Sequence, residues 1–214
     1  MERPFLVFGT SALSRLLLEL LADRERDLLA GFCVDRAYRV KDRFCGFPVH
    51  DFEDLPRDFP ATDYDILAPL RYFDMNRDRE RLFARIKAAG YRMPGYTHPS
   101  CRVAADAVRG ENVILLHDNV VRPRARIADN AFIWTRVLLD RGAEIGAHSF
   151  ISGGTVVRAG ARVGRNSFVG PKSVIEAGCT VGEFCVIGAG GLILRDCRDK
   201  TIYGPPPARY GAVP

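Results

Sequence analysis

The sequence has little of several features that define common classes of protein. Its six cysteines form no CxxC pair and no cluster with histidine, so neither a metal site nor a disulfide framework is indicated. The longest apolar run near the start, LLLELLA, contains Glu19 and is too short to cross a bilayer. No basic stretch followed by a long apolar core opens the chain, which argues against a signal peptide. We therefore expect a cytoplasmic protein with no metal and no membrane insertion.

Charge is also limited. The net charge is +5 over 214 residues, and the arginines are spread along the chain rather than clustered. This distribution gives little support to nucleic-acid binding and favours a small phosphorylated ligand. The length and the 47% apolar content suit one large globular domain or two small ones.

The strongest pattern is a six-residue repeat. From Val121 to Arg198 the chain divides into thirteen consecutive units, and every unit begins with Val, Ile or Leu. The fifth position of each unit holds Ala, Ser, Thr, Cys, Gly or Val. Weaker units precede them, beginning at 103, 109 and 115. A strict period of this kind indicates a solenoid, whose units are buried only by stacking on their neighbours.

The period of six predicts a parallel β-helix. Three short strands joined by tight corners make a coil of eighteen residues, with the aliphatic first position inside and the small fifth position where the coil narrows. Successive coils pair their backbones at about 4.8 Å. A helix of period 3.6 does not keep every sixth residue inside. The same stacking places His148 between Asn130 and Asn166, in a ladder of corner side chains.

The N-terminal part follows a different pattern. An apolar strand over 4–8 leads into a glycine turn and a helix capped near Thr10 or Ser11. A second strand ends at Asp35. A hairpin or a strand with a turn, a third strand and an amphipathic helix ending at Gly90 follow. This order predicts a small Rossmann-like α/β domain over 1–98, followed by the β-helix over 99–214 with its proline-rich C-terminal tail.

A parallel sheet binds ligands at the carboxyl ends of its strands, where Gly9 and Asp35 lie. Gly9 allows backbone amides at the helix start to approach a phosphate, and Asp35 can accept hydrogen bonds from a ribose or a base. Only one of the three glycines of the dinucleotide fingerprint is present. We therefore expect a smaller nucleotide than NAD at this edge, or a glycine turn with a purely structural role.

Motifs in both parts resemble one family. They are FGTSALSRLLLELL, CVDRAYRVKDRFCGFPV, Tyr72 with Met75 and Asn76, the THPS linker, the repeat and the closing YGPPPAR. Together they resemble the NeuD/PglD-like sugar O- and N-acyltransferases of bacterial surface-polysaccharide pathways. The resemblance implies a homotrimer of left-handed β-helices, with acetyl-CoA as acyl donor and a nucleotide-linked sugar as acceptor.

The resemblance also implies site residues. It places the acceptor and the thioester between neighbouring β-helices. The positions that it assigns to the nucleotide-linked sugar are Gly9, Ser11, Asp35, Arg36 and Tyr72. The positions that it assigns to the CoA arm, through their backbone, are Ala159 and Ala189.

Two positions depart from the family pattern. Arg141 stands where the family has its catalytic histidine, and Arg71 stands where a glycine is common. Acyl transfer needs a group that takes the proton of the attacking amine or hydroxyl. Arginine does not take up this proton, because its pKa lies above about 12 and it is already protonated. Arg141 can instead bind a carboxylate or phosphate, or stabilise a developing oxyanion.

Three alternatives for the base remain open. Asp140 is adjacent, although the neighbouring arginine weakens it as a base. His117 occupies the same position of its own unit and serves only if trimer packing brings it to the site. Solvent can also take the proton from an amine. The sequence thus predicts either an acyltransferase with a rearranged site or a family member that binds sugar nucleotide with little activity; a different acyl donor is a third possibility.

Overall fold

The computed structural model describes residues 1–204, and the tail at 205–214 lies outside the described residues. The N-terminal domain contains four α-helices and five strands. The helices are α1 (Ala12–Leu20), α2 (Asp23–Asp27), α3 (Leu55–Asp58) and α4 (Arg77–Ala88). The strands are β1 (Phe5–Phe8), β2 (Leu29–Val34), β3 (Arg43–Phe44), β4 (Phe47–Asp51) and β5 (Asp65–Leu67). Over residues 1–204 no helix is long and apolar enough to cross a membrane.

The five strands form one sheet in the order β3-β4-β2-β1-β5. All neighbours are parallel except the β3–β4 hairpin, which confirms the predicted α/β arrangement. Ser11 caps α1 by accepting a hydrogen bond from the Ser14 N–H at 3.4 Å. Strand β1 lies between β2 and the edge strand β5 and is buried along its whole length. Its carboxyl end therefore opens beside the start of α1.

The remaining strands build a left-handed parallel β-helix with three faces, as predicted. The face against the N-terminal domain, here the covered sheet, contains β6 (Tyr96–Thr97), β9 (Ile114–Leu115), β12 (Phe132–Ile133), β15 (Phe150–Ile151), β18 (Phe168–Val169), β21 (Val186–Ile187) and β23 (Ile202–Tyr203). The next face, the aliphatic sheet, contains β7 (Arg102–Val103), β10 (Val120–Val121), β13 (Leu138–Leu139), β16 (Val156–Val157), β19 (Val174–Ile175) and β22 (Leu192–Ile193). The third, the charged sheet, contains β8 (Val108–Arg109), β11 (Arg126–Ile127), β14 (Glu144–Ile145), β17 (Arg162–Val163) and β20 (Thr180–Val181).

The interior confirms the predicted register. Val120 pairs with Leu138 and Leu138 with Val156, so residues eighteen apart stack. The aliphatic first positions and the small fifth positions form one continuous core. The last coil is shorter, because Val186 pairs with Ile202.

Three corners join the faces, and each is named here by its residues. The cleft corner, between the covered and aliphatic sheets, contains 117–118, 135–136, 153–154 and 171–172. The open corner, between the aliphatic and charged sheets, contains 122–124, 140–142, 158–160 and 176–178. The clamped corner, between the charged and covered sheets, contains 111–112, 129–130, 147–148 and 165–166.

The two domains share a hydrophobic core. Leu13 and Leu17 of α1 pack in one cluster with Phe132 and Phe150 of the covered sheet. Strand β6 already pairs with β9, so β-helix pairing begins at Tyr96, three residues before the predicted division between 98 and 99. The segment that links the two domains therefore contributes the first strand of the β-helix.

Helix α4 fastens the N-terminal domain to the clamped corner. Arg79 is 1% exposed, and its guanidinium donates to the backbone carbonyls of Leu70 and Asn130. The Asn130 amide donates back to the Arg79 carbonyl at 3.0 Å. Burial lowers the pKa of Arg79 to about 9, which leaves it a cation at neutral pH.

Candidate active site

A cleft of about 640 Å³ lies between the start of α1 and the cleft corner. It is lined by Ala12, Leu13, Leu16, Arg71, Tyr72, Trp134, Thr135, Phe150, Ser152, Gly153, Phe168 and Pro171. Its size lies within the range of small-molecule sites. The N-terminal domain supplies one wall and the β-helix the other, so the cleft exists only because the two domains pack together.

Aromatic rings form the floor of the cleft. Phe132, Phe150 and Phe168 stack along the covered sheet, with ring centroids 5.0 and 5.8 Å apart. Tyr72, a predicted substrate residue, lies against Phe168 at 4.3 Å between centroids. Its hydroxyl donates to the Met75 sulfur at 3.4 Å, and burial, with Asp74 nearby, raises its pKa. Tyr72 is thus placed in the cleft.

The predicted nucleotide residues lie at the strand ends. Gly9 follows β1 with a positive φ of 97° and donates its N–H to the Cys33 carbonyl at 2.8 Å. Ser11 is the α1 cap, and the next residue, Ala12, lines the cleft. The sheet therefore brings Gly9 and Ser11 to the edge where the cleft begins.

Asp35 and Arg36 are already paired with other side chains. The Asp35 carboxylate forms an ion pair with Arg85, whose guanidinium also lies 4.6 Å from the Phe52 ring centroid. Arg36 binds Asp51 and Asp54 at 3.1 and 2.8 Å. These partners hold both side chains at the carboxyl end of β2.

Asp140 and Arg141 lie at the open corner, and the aliphatic sheet separates them from the cleft. An Asp140 carboxylate oxygen accepts the Arg141 N–H at 2.8 Å and lies 3.6 Å from the Arg122 Nε. The Arg141 side chain is exposed and, within residues 1–204, makes no ion pair. Its guanidinium is therefore free to bind an anion.

His117 lies at the cleft corner, one coil before Thr135. Its ring lies against His98, with 3.9 Å between centroids and an angle of 42° between the ring planes. Burial and the neighbouring His117 lower the pKa of His98, whose Nδ1 accepts the Ser100 N–H at 3.2 Å. Within one chain His117 and Asp140 lie at different corners, so the structure does not bring these two candidate bases together.

The two predicted CoA positions also lie at different corners. Ala159 is one coil beyond Arg141 at the open corner, and Ala189 is on the column of Gly153 and Pro171 at the cleft corner. Both are exposed. Among the hydrogen bonds of residues 1–204, neither amide N–H finds an acceptor, whereas Asp140 accepts the N–H of Arg141. The N–H groups of Ala159 and Ala189 are thus without a partner in the described chain, while the Ala159 carbonyl accepts the Gly178 N–H at 3.0 Å.

His148 forms the predicted corner ladder. Its Nδ1 lies 2.9 Å from the Asn130 amide nitrogen, and its ring meets Phe83 of α4 edge-on. Burial lowers its pKa. This histidine belongs to the contact between domains.

Sequence reasoning did not identify the aromatic lining of the cleft or the contacts that hold the two domains together. Trp134, Phe150 and Phe168 line the cleft, and the recurrence of Phe at eighteen-residue intervals before an inward residue was the available signal. The contacts of Arg79 and Asn76 with the β-helix carry no such signal.

Comparisons with known proteins agree with this fold. Residues 160–195 match the family model of the bacterial transferase hexapeptide (six repeats). No curated protein matches the sequence.

Several solved structures match nearly the whole chain. The acetyltransferase domain of PglB from Neisseria gonorrhoeae is 22% identical with a TM-score of 0.82, over 95% of this chain and 97% of that one. PerB from Caulobacter crescentus, solved with CoA and GDP-perosamine, is 22% identical with a TM-score of 0.81, over 94% of both chains. WeeI from Acinetobacter baumannii is 15% identical with a TM-score of 0.73, over 92% and 94%. Residues 160–195 therefore match a hexapeptide-repeat model, and the whole chain has the fold of the PglB acetyltransferase domain and of PerB.

Proposed function

We propose that this protein transfers an acyl group, in the first place acetyl, from acyl-CoA to an amino or hydroxyl group of a nucleotide-linked or free sugar. The similar PerB structure holds CoA and GDP-perosamine, which supports both substrate classes. An acyl-CoA donor implies a cytoplasmic reaction, and surface-polysaccharide biosynthesis is the setting in which such modified sugars are used.

One arrangement supports the proposal: the predicted site residues fall into two groups, which lie at the two ends of one face of the β-helix. The aromatic cleft is at the cleft corner, and Asp140, Arg141 and the N–H of Ala159 are at the open corner. The aliphatic sheet lies between them. A single chain holds the two groups apart, so a complete site needs a second copy.

The aliphatic sheet is suited to that assembly. After the outward Arg102 of its first strand, the outward residues of this sheet are half-buried or exposed in the single chain and form an apolar stripe, which consists of Val120, Leu138, Val156, Val174 and Leu192. A head-to-tail contact that closes into a ring of three brings the cleft corner of one copy beside the open corner of the next. We therefore propose a homotrimer with its sites between copies.

The chemistry follows from the residues on each side. The acceptor amine or hydroxyl attacks the thioester carbonyl carbon, the carbon–sulfur bond breaks, and CoA leaves as the thiolate. The acceptor's proton passes to a base, and the CoA thiolate is finally protonated. Arg141 stabilises the developing oxyanion or binds an anionic group, since a guanidinium does not accept the proton. Asp140, His117 of a neighbouring copy, or solvent takes it.

A second candidate function rests on the histidines. The chain has four, at positions 50, 98, 117 and 148, and none of them is at the open corner. If no other group replaces the missing histidine as base, the protein would be a trimer that binds sugar nucleotide with little or no transferase activity.

The test measures release of free CoA thiol from acetyl-CoA with a panel of UDP-, dTDP- and GDP-linked amino sugars. We expect turnover with at least one acceptor, and loss of that turnover in Asp140→Asn or in His117→Ala identifies the base. Arg126→His, which adds a histidine to the charged sheet, is the matched control for Arg141→His.

Two results would contradict the proposal. The first is that the wild type releases no CoA thiol with any acceptor, whereas Arg141→His gains strong thiol release and Arg126→His gains none. That result supports the binding function instead. The second concerns assembly: light scattering should give a trimer that Leu138→Lys, on the aliphatic stripe, dissociates and Thr180→Lys, on the charged sheet, does not. A monomeric wild type contradicts the shared site.

A further inference from the structure

Within residues 1–204, the cleft is lined by a single charged side chain. Arg71 is exposed at its edge, and the remaining lining is aromatic, aliphatic or small. Within residues 1–204, Arg71 makes no ion pair and no hydrogen bond. A guanidinium binds carboxylate and phosphate oxygens with two parallel hydrogen bonds, and none of the described lining residues offers a carboxylate that competes for it.

The loop that carries Arg71 is fixed at both ends. The Arg79 guanidinium binds the Leu70 carbonyl immediately before it. After it, the Asn76 amide donates to the Ser167 carbonyl of the β-helix at 3.1 Å, and Asn76 is fully buried.

Strained backbone lies between these anchors. Asp74, Met75 and Asn76 have φ of 42°, 51° and 57°, a left-handed run that non-glycine residues adopt only where the surroundings impose it. The backbone that presents Arg71 is thus held in place before any ligand binds, which lowers the entropic cost of binding.

The rest of the cleft lining determines which chemical group can bind beside the anionic oxygens of the ligand. Tyr72, Trp134 and Phe150 offer aromatic surface, and Trp134 and Phe150 lie 6.1 Å apart between ring centroids. Such surfaces stack on the flat, apolar face of a ring. The lining therefore suits a ring with one apolar face and an anionic group at its edge.

We propose that Arg71 selects an anionic acceptor: the ligand binds in this cleft with a negatively charged oxygen group on the guanidinium. This inference rests on the proposed function, because it assigns the cleft to the acceptor. Two parts of a nucleotide-linked sugar carry that chemistry, namely a carboxylate on the sugar and the diphosphate.

Trp134, the one tryptophan of the chain, allows a direct test, since its fluorescence reports on the cleft alone. We would titrate the protein, without acyl-CoA, with UDP-glucuronate, UDP-glucose, UDP and uridine, and with GDP-mannuronate, GDP-mannose, GDP and guanosine, and confirm affinities by calorimetry. The variants are Arg71→Gln and the control Arg126→Gln, an exposed arginine on the charged sheet.

Two outcomes support the proposal and identify the anion. If the sugar carboxylate binds Arg71, the acidic sugar nucleotide binds about tenfold more tightly than its neutral partner, and Arg71→Gln removes that difference. If the diphosphate binds there, Arg71→Gln weakens all diphosphate ligands about tenfold and leaves the nucleoside unchanged. Arg126→Gln should match the wild type in both cases.

Three outcomes overturn it: affinities that Arg71→Gln leaves unchanged, an equal loss for charged ligands and nucleosides, or no binding of either series to the wild type. Failure of the proposed function is distinguishable, because it is read from thiol release. A protein that binds through Arg71 but releases no CoA keeps this inference and loses the transferase activity.

Discussion

The clamped corner and the open corner are built by the same repeat and have opposite surroundings. Asn130 and His148 at the clamped corner lie beneath α4 and bind one another at 2.9 Å. Asp140 and Arg141 at the open corner lie at the surface, where the Asp140 carboxylate binds a backbone amide beside it. The repeat therefore fixes where a corner residue stands, and the docking of the N-terminal domain decides whether it serves structure or remains available for chemistry.

The energetic consequence differs as well. Polar groups at the clamped corner have lost water, so each needs a partner, and loss of one partner is costly. The ion pair of Arg122 and Asp140 at the open corner is partly solvated and contributes little to stability. Substitutions should therefore affect folding at one corner and ligand chemistry at the other.

Arg79→Ala is expected to have the largest effect. It removes the donor to the buried carbonyls of Leu70 and Asn130 and leaves a cavity, so the free energy of unfolding should fall by about 3–5 kcal/mol. Arg81→Ala on the same helix is the control, because that side chain is 66% exposed and pairs with Asp78 at 2.8 Å; its loss should be below about 1 kcal/mol. Urea unfolding at matched protein concentration measures both, and similar losses would contradict the assigned clamp.

Two glycines allow the backbone packing at the clamped corner and at the open corner to be compared. A Cβ on Gly164, beside the clamped corner, would lie 2.6 Å from the backbone nitrogen of Glu183 in the next coil, so Gly164→Ala should cost about 1–3 kcal/mol. A Cβ on Gly142, at the open corner, meets nothing within 4 Å, although its φ is +66°, so Gly142→Ala should cost about 1 kcal/mol. Thermal unfolding ranks the two, and a larger loss for Gly142→Ala would be inconsistent with the stacking.

The repeat was predictable because one physical requirement recurs in every coil. An inward aliphatic residue and a small residue at the narrow part of the coil are needed thirteen times, so the register of Leu139 and Ala143 follows from the sequence. The N-terminal sheet was predictable for a similar local reason, since apolar strands alternate with capped helices.

The cleft and the clamp were not predictable, because they depend on contacts between distant segments. In the sequence, Arg79 is one of many charged residues on an amphipathic helix. It is buried only because that helix packs against the β-helix at Asn130. Arg71 and Tyr72 become a site only when their loop meets Trp134 and Phe168. The position of Arg141 followed from the register, and in the proposed trimer its partners would come from a second copy of the chain.

His148→Asn tests the clamped corner with the smallest expected effect. Burial holds the pKa of His148 below its ordinary value of 6.5, so the unfolded chain takes up this proton at a higher pH than the folded one. The associated stability is complete above about pH 6.5 and is lost as pH falls towards the lower pKa of the folded state. The charged groups facing the ring are Glu80, Arg79, Arg165 and Asp129.

Asparagine should fit at this position, because Asn130 and Asn166 adopt the same backbone, with φ of 58° against 62° at His148. The variant should therefore keep its stability near pH 8 and lose it less steeply between pH 6.5 and 5, as measured by urea unfolding across that range. His50 and His98, whose pKa values are also lowered by burial, remain in both proteins and leave a residual slope. Parallel curves for the two proteins would mean that protonation of His148 does not loosen the contact with α4, and that the clamped corner depends on Arg79 and the asparagines alone.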